Sequence, residues 1–180
     1  MKNLVTGAAI AALMAIGVAG VANAATWTLT NTNGGDGFVN AIPGGFDLFG
    51  ADNGVGATST TNLAVASVAT TVTYNWVYTT NDCCGSVYDP AGYVINDVFT
   101  QLSIDSSAGP GAGDASGSIT LNVGAGQDYG FYVNSTDSIL GRADIAVTAV
   151  PEPASWALMM VGVGALGFAL RRSREKLVAA

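Results

Sequence analysis

The chain has no histidine. Ser–His and Cys–His nucleophile pairs and the ordinary catalytic zinc site all need an imidazole, so each is excluded. Cysteine is nearly absent too: Cys83 and Cys84 are the only two, and they are adjacent. They cannot clamp distant segments. Neighbouring Cα atoms sit about 3.8 Å apart, below the usual disulfide range of about 4.4–6.8 Å. Three readings stay open for the pair: a vicinal disulfide stiffening the Asp82–Gly85 turn, bridges between molecules, or two thiols. Between Ala25 and Val150 there is no lysine and no glutamate, and Arg142 alone faces eleven aspartates, a net charge of −10. Missing lysine removes Schiff-base and P-loop chemistry. Missing basic clusters exclude nucleic acid and anionic membrane surfaces as partners, because phosphate binding needs clustered Lys and Arg. A glycosidase needs two carboxyl groups about 5–9.5 Å apart, one with a raised pKa. The aspartates could supply such a pair, but most lie beside Gly, Ser or Asn as turn residues do, and none is selected as catalytic. The chain reads as a non-enzyme, with an extracellular glycoside-cleaving enzyme as the distant alternative.

The two ends carry what the middle lacks. Lys2, the apolar run Leu4–Val21 and the A-x-A sequence Ala22-Asn23-Ala24 before Ala25 predict a secretory signal peptide over residues 1–24, with signal peptidase cutting after Ala24. At the other end stand Val150-Pro151-Glu152-Pro153, then Trp156, then 17 residues without a charge from Ala154 to Leu170, then Arg171, Arg172 and Arg174. The prolines forbid regular helix or central strand, leaving an extended, accessible link. The uncharged run sits at the short limit for crossing a hydrocarbon core of about 30 Å. Arginines just beyond it should stay cytoplasmic, and Trp156 is placed as an interfacial aromatic would be.

Val150 to Arg174 closely resembles the PEP-CTERM sorting signal of Gram-negative bacteria, with all three parts of that pattern present. The resemblance implies an exosortase substrate, held transiently in the inner membrane, cut near Pro151-Glu152-Pro153 and passed to the cell surface or extracellular matrix. Some ice-binding proteins carry the same C-terminal domain. The expected organisation is a signal peptide (1–24), an ectodomain (25–149), a sorting signal (150–174) with a transmembrane helix over 154–170, and a cytoplasmic tail (175–180).

The middle reads as all-β. Val72, Tyr74, Trp76 and Tyr78 alternate with Thr71, Thr73, Asn75 and Thr79, and the same period of two recurs in Ile119/Leu121/Val123, Tyr129/Phe131/Val133 and Ile145/Val147/Ala149. Trp27 and Leu29 mark a first strand. Breakers such as Asn33–Gly37, Pro43-Gly44-Gly45, Ala108–Gly113 and Gly124-Ala125-Gly126 separate the runs. Short strands at this spacing, with no amphipathic helical pattern between them, predict an antiparallel β-sandwich or jelly roll. Tyr74-Asn75-Trp76-Val77-Tyr78, Asp82, Tyr88-Asp89, Gly92-Tyr93 and Gly130-Phe131 through Asp137 resemble β-sandwich ectodomains that precede such sorting tails.

Calcium is the one cofactor the residues suggest. Asp82, Asp89 and Asp97 fall around one loop between strands, with Asp137 able to join if two loops share an edge of the sandwich. Ca²⁺ takes 6–8 oxygen ligands, and extracellular modules bind it at about 10⁻⁴–10⁻³ M. The bland alternative is that these aspartates make Asx-turns. Threonines crowd Thr58–Thr61 and Thr70–Thr73, as in O-glycosylated segments, ice-binding faces or ordinary exposed strands. Taken together, the expectation is an exported structural or adhesive component of an exopolysaccharide or biofilm matrix. The alternatives are a carbohydrate-binding module contacting polysaccharide and, less favoured, an ice-binding protein.

Overall fold

The longest alternating run becomes the longest strand. Val72, Tyr74, Trp76 and Tyr78 share one face of an 11-residue strand, and the last three are buried while Asn75 and Val77 are exposed. The structure, a computed structural model, describes residues 25–151 and 159–166. The expected signal peptide with Ala22 and Ala24 lies outside the described residues, as do Glu152, Pro153, Trp156, Arg171, Arg172, Arg174 and the tail 175–180. Residues 159–166 are helical, and among the described residues no helix is long and apolar enough to cross a membrane.

Ten strands follow in chain order: β1 (Trp27–Asn31), β2 (Phe38–Ile42), β3 (Gly45–Phe49), β4 (Thr58–Val65), β5 (Thr70–Thr80), β6 (Ala91–Ile95), β7 (Val98–Gln101), β8 (Ala115–Val123), β9 (Asp128–Ser135) and β10 (Ala143–Ala149). They form two five-stranded sheets, β1-β4-β9-β6-β7 and β2-β3-β10-β5-β8. Every pairing is antiparallel. This is the expected antiparallel sandwich. Its core is where the inner faces meet: Phe46, Leu48, Tyr74, Trp76, Tyr78, Ile145 and Val147 from one sheet against Ala64, Tyr129, Phe131 and Val133 from the other. Aromatic edges lock the layers together. Phe131 meets Tyr74 at 5.3 Å and Phe46 at 6.1 Å, and Trp27 meets Phe46 at 4.9 Å, all edge-on, the arrangement ring quadrupoles favour.

Two turns explain the short strands. Pro43-Gly44 closes β2 onto β3, and Gly44 takes a φ of 79°; Pro at the second position and Gly at the third is the requirement of a type II turn. Asn96-Asp97 closes β6 onto β7 with φ of 50° and 61°. Both central residues are left-handed, as in a type I′ hairpin, which favours Asn and Asp there.

The threonine crowd at Thr58–Thr61 is not one exposed array. Thr58 and Thr60 point inward and are buried, bonding Ser138 Oγ at 3.0 Å and donating to Asn31 Oδ1 at 2.7 Å respectively. Of the Thr70–Thr73 run, Thr71 and Thr73 lie outward in β5, bonded to Asn122 and Thr120 of β8. Trp76, 8% exposed, belongs to the core, as its place in the alternation implied.

Candidate functional site

Three features stand out: an acidic loop cluster, a carboxylate pair on a sheet face, and the exit of the chain from β10.

The loop after β5 begins with an Asx-turn. Cys84 N–H donates to Asp82 Oδ1 at 2.6 Å, and Asp82 N–H donates to Thr80 Oγ1 at 3.2 Å. Cys83 and Cys84 are bonded to each other, with Cα atoms 3.8 Å apart. The loop is stitched to the one between β9 and β10, since Cys83 N–H donates to Leu140 O and Thr136 N–H to Tyr88 O. The two loops thus share one end of the sandwich, the condition under which Asp137 could join Asp82 and Asp89.

Both Asp82 and Asp89 are 1% exposed. Asp82 Oδ2 and both carboxylate oxygens of Asp89 are buried without a hydrogen-bond partner. Burial is the main cause that pushes the Asp89 carboxyl up to about 7, and the charges of Asp82, Asp137 and Asp52 add to it. The Ser135 hydroxyl stands near enough to offset part of that rise without meeting hydrogen-bond geometry.

Asp97 does not belong with this group. It lies across the length of β6, exposed in the β6–β7 turn, where its N–H approaches Asp128 Oδ2. Its left-handed backbone shows why an aspartate stands there: the type I′ turn uses the residue for shape. Asp52, which the sequence reading passed over, takes its place near Asp89. It sits just beyond β3 and accepts from Gly141 N–H at 3.4 Å. Its sequence signal was the turn-like Asp52-Asn53-Gly54, indistinguishable from several others in the chain.

Arg142 supplies the one cation of residues 25–151, and it is committed elsewhere. Its guanidinium grips both oxygens of Asp36, donates to Gly50 O at 2.7 Å and lies 5.5 Å over the Phe38 ring. That fork holds the Asp36 carboxyl below its ordinary range.

Asp47 of β3 and Asp144 of β10 form the second carboxylate set, on the outer face of their sheet, since both alternate with buried core residues. Burial, then the neighbouring Asp144, raises Asp47 to about 6; Asp144 is raised too, mainly by burial, while accepting from Thr79 Oγ1 at 2.6 Å. Such a pair has the electrostatic signature of a general acid–base couple. Neither residue lines the apolar groove described below. Its expected effect is on stability. A carboxyl whose folded pKa lies above the unfolded 3.8 binds its proton more tightly when folded, so its stabilisation is complete below about pH 4 and is lost as pH rises through about 6. Asp47→Asn should remove about 1–2 kcal/mol of that pH-dependent stability, a figure reduced for partial solvent access. Denaturant midpoints measured at about pH 4 and pH 7 check it: the variant should show the smaller drop, and an unchanged drop would mean the pair does not share a proton.

A groove of about 430 Å³ opens between β1 and β2, lined by Trp27, Leu29, Val39, Phe46, Asn62 and Tyr74 among others. Its walls are apolar apart from Asn62 and the polar edges of Trp27 and Tyr74.

At the end of β10, Ala149 N–H donates to Gly44 O at 3.0 Å and Val150 N–H to Thr73 O at 2.8 Å. Among the described residues the last sandwich bond is therefore made at Val150, immediately before Pro151.

The chain is similar to several solved structures at low identity. A family 35 carbohydrate binding module from an environmental isolate is 18% identical at a TM-score of 0.39, over 73% of this chain and 94% of that one. One from Clostridium thermocellum is 9% identical at 0.35, over 67% and 98%. One from Cellvibrio japonicus is 12% identical at 0.34, over 70% and 99%. The architecture described above rests on strand pairing, not on these likenesses. No curated protein matches the chain. The family model of the PEP-CTERM protein-sorting motif matches residues 149–174, starting on the last residue of β10. The chain thus carries a PEP-CTERM protein-sorting motif directly behind its sandwich, the mark of an exported protein sorted to the cell envelope.

Proposed function

We propose that the chain is an exosortase substrate whose sandwich, residues 25–149, serves at the cell surface as a structural or adhesive component of an exopolysaccharide or biofilm matrix. Signal peptidase cuts after Ala24. The segment 154–170 then holds the chain in the inner membrane with Arg171, Arg172 and Arg174 on the cytoplasmic side, and exosortase acts at Pro151-Glu152-Pro153. The observation that carries the reading is where the sorting motif begins. All ten strands are complete by Ala149, so a cut at the motif releases the sandwich with its hydrogen bonding whole.

The role after release is read from surface chemistry. A net charge of −10 over residues 25–150 keeps the released domain soluble and repels other polyanions. Contact with an acidic polysaccharide would therefore run through divalent cations. The groove between β1 and β2 offers aromatic walls but few hydrogen-bonding groups for a sugar ring, which favours a matrix component over a carbohydrate-binding module. Outward threonines are split between two sheets, Thr28, Thr30 and Thr61 on one and Thr71, Thr73 and Thr120 on the other, so no single face carries a long threonine ladder for ice.

Intact mass of the protein recovered from cells with an active exosortase tests the route. The expected species starts at Ala25 and ends between Pro151 and Pro153, with or without added sugar or an anchor remnant. A species running from Ala25 through Ala180 would overturn it.

A further inference from the structure

We propose that the end of the sandwich formed by the β5–β6 and β9–β10 loops holds one Ca²⁺, with Asp82 and Asp89 as its anionic ligands and Asp52 and Asp137 supplying further negative charge around it. The proposal is independent of the sorting route.

Two carboxylates, each 1% exposed, leave three oxygens without a hydrogen-bond donor. A buried carboxylate without a partner is costly, and folded proteins resolve it by pairing, by protonation or by a cation. Pairing fails on inventory, because Arg142 is the one basic side chain of residues 25–151 and is held by Asp36 and Gly50. Protonation could settle one carboxyl. It would leave Asp82 and the charges of Asp52 and Asp137 around the same carboxyl uncompensated. A divalent cation answers all of them together.

The donor set then selects the ion. Among the described residues, Asp82, Cys83 and Cys84 form the one trio of His, Cys, Asp or Glu whose ligand atoms lie within 4.8 Å of one another, and both sulfurs are spent in the disulfide. With no histidine in the chain, only oxygen remains. Oxygen donors suit hard cations, not zinc or copper. Mg²⁺ demands near-ideal octahedral geometry, whereas Ca²⁺ accepts 6–8 ligands in irregular arrangements, including main-chain carbonyls and water. Two irregular loops offering two carboxylates and main-chain oxygens fit calcium. The disulfide has a part here: it stiffens the residues next to Asp82, which limits how far the ligand can drift when no ion is bound.

A site of this kind would tie the two loops together only where the cation is plentiful. At an affinity of about 10⁻⁴–10⁻³ M, typical of extracellular modules, it fills outside the cell and stays empty inside. The sandwich would then tighten after export.

The test is thermal unfolding of the full chain in detergent micelles, stripped with a chelator and titrated with CaCl₂ or MgCl₂. At about 10 mM Ca²⁺ the midpoint should rise by about 5–10 °C, with Mg²⁺ giving less than half of that. Asp89→Asn and Asp82→Asn should abolish the shift, and Asp97→Asn should retain it. No calcium shift in the unsubstituted chain, an equal shift with Mg²⁺, or a shift that survives Asp89→Asn would each overturn the site. Should either loop variant fail to fold, equilibrium dialysis of the unsubstituted chain decides: about one Ca²⁺ bound per chain supports the proposal, and none bound ends it.

Discussion

Phe131→Ala should destabilise the sandwich by about 3–5 kcal/mol, the usual range for truncating a fully buried aromatic. Phe131 is 0% exposed and sits on β9, the central strand of its sheet. Its ring reaches across to Tyr74 at 5.3 Å and Phe46 at 6.1 Å on the opposite sheet. Truncation therefore removes the contacts that join the two layers, and the surrounding strands cannot close the gap without breaking their own ladders. Domains of this size are stable by about 5–15 kcal/mol in all, so the variant should lose a large share of the total. Denaturant unfolding followed by tyrosine and tryptophan emission measures it. Val65→Ala, at a position 64% exposed on the neighbouring strand β4, serves as the comparison and should stay within about 0.5 kcal/mol. A Phe131→Ala midpoint as close to the unsubstituted chain as that of Val65→Ala would mean the layers are not packed through this ring.

The legible parts of the sequence were those where one apolar face alternates with one polar face. β5, β8 and β10 read cleanly because Tyr74, Trp76, Tyr78, Leu121, Val123, Ile145 and Val147 turn inward while their neighbours are Thr, Asn, Asp144, Gly124, Val77 or Ala146. β4 was hard to read for the opposite reason. Its inward positions include Thr58, Thr60 and Asn62, and the first two bond Ser138 and Asn31 inside the fold, so hydrophobic alternation is missing. β9 blurs differently: Gly130 and Tyr132 on its outer face are buried as well, with Phe99 of β7 packing edge-on at 5.1 Å over Tyr132. β2, β3, β6 and β7 are five residues or fewer, and the first three carry a Gly or Asn as well, too short for a period to declare itself.

The acidic cluster shows the same division. Asp82, Asp89 and Asp137 were legible as a loop group because they flank strands with strong alternation. Asp97 was grouped with them by proximity in sequence, yet a five-residue strand carries the chain away to the other end of the sheet before it is reached. Asp52 comes close through the fold alone, from the loop after β3, and nothing in its local sequence distinguishes it from the other turn aspartates. Sequence distance misplaced one aspartate and hid another because a sandwich gathers its loops by topology.

Replacing Pro151 and Pro153 together with alanine should abolish sorting while leaving the sandwich intact. The two effects separate because β10 ends at Ala149, before either proline, and among the described residues the last bond to the sandwich is Val150 N–H to Thr73 O. Proline fixes φ, lacks an N–H and pushes the residue before it into extended backbone. Under the proposed route, that preference favours the extended form a transpeptidase would thread through its active site. Alanine at both positions removes that preference and lets helix form across the proposed cut site. The expected outcome is a drop of at least about tenfold in cell-surface protein, with a species from Ala25 through Ala180 accumulating in the inner-membrane fraction; a tenfold change corresponds to about 1.4 kcal/mol in the step that recognises the motif. The unfolding midpoint of the sandwich should move by no more than about 1 °C. Glu152→Gln, which keeps both prolines and removes only the charge, separates shape from charge: normal release in that variant assigns recognition to the extended backbone, and blocked release assigns it to the carboxylate. Unchanged surface protein in the double alanine variant would leave the motif without a sorting role, and the tail would then be a plain anchor holding a membrane-tethered sandwich.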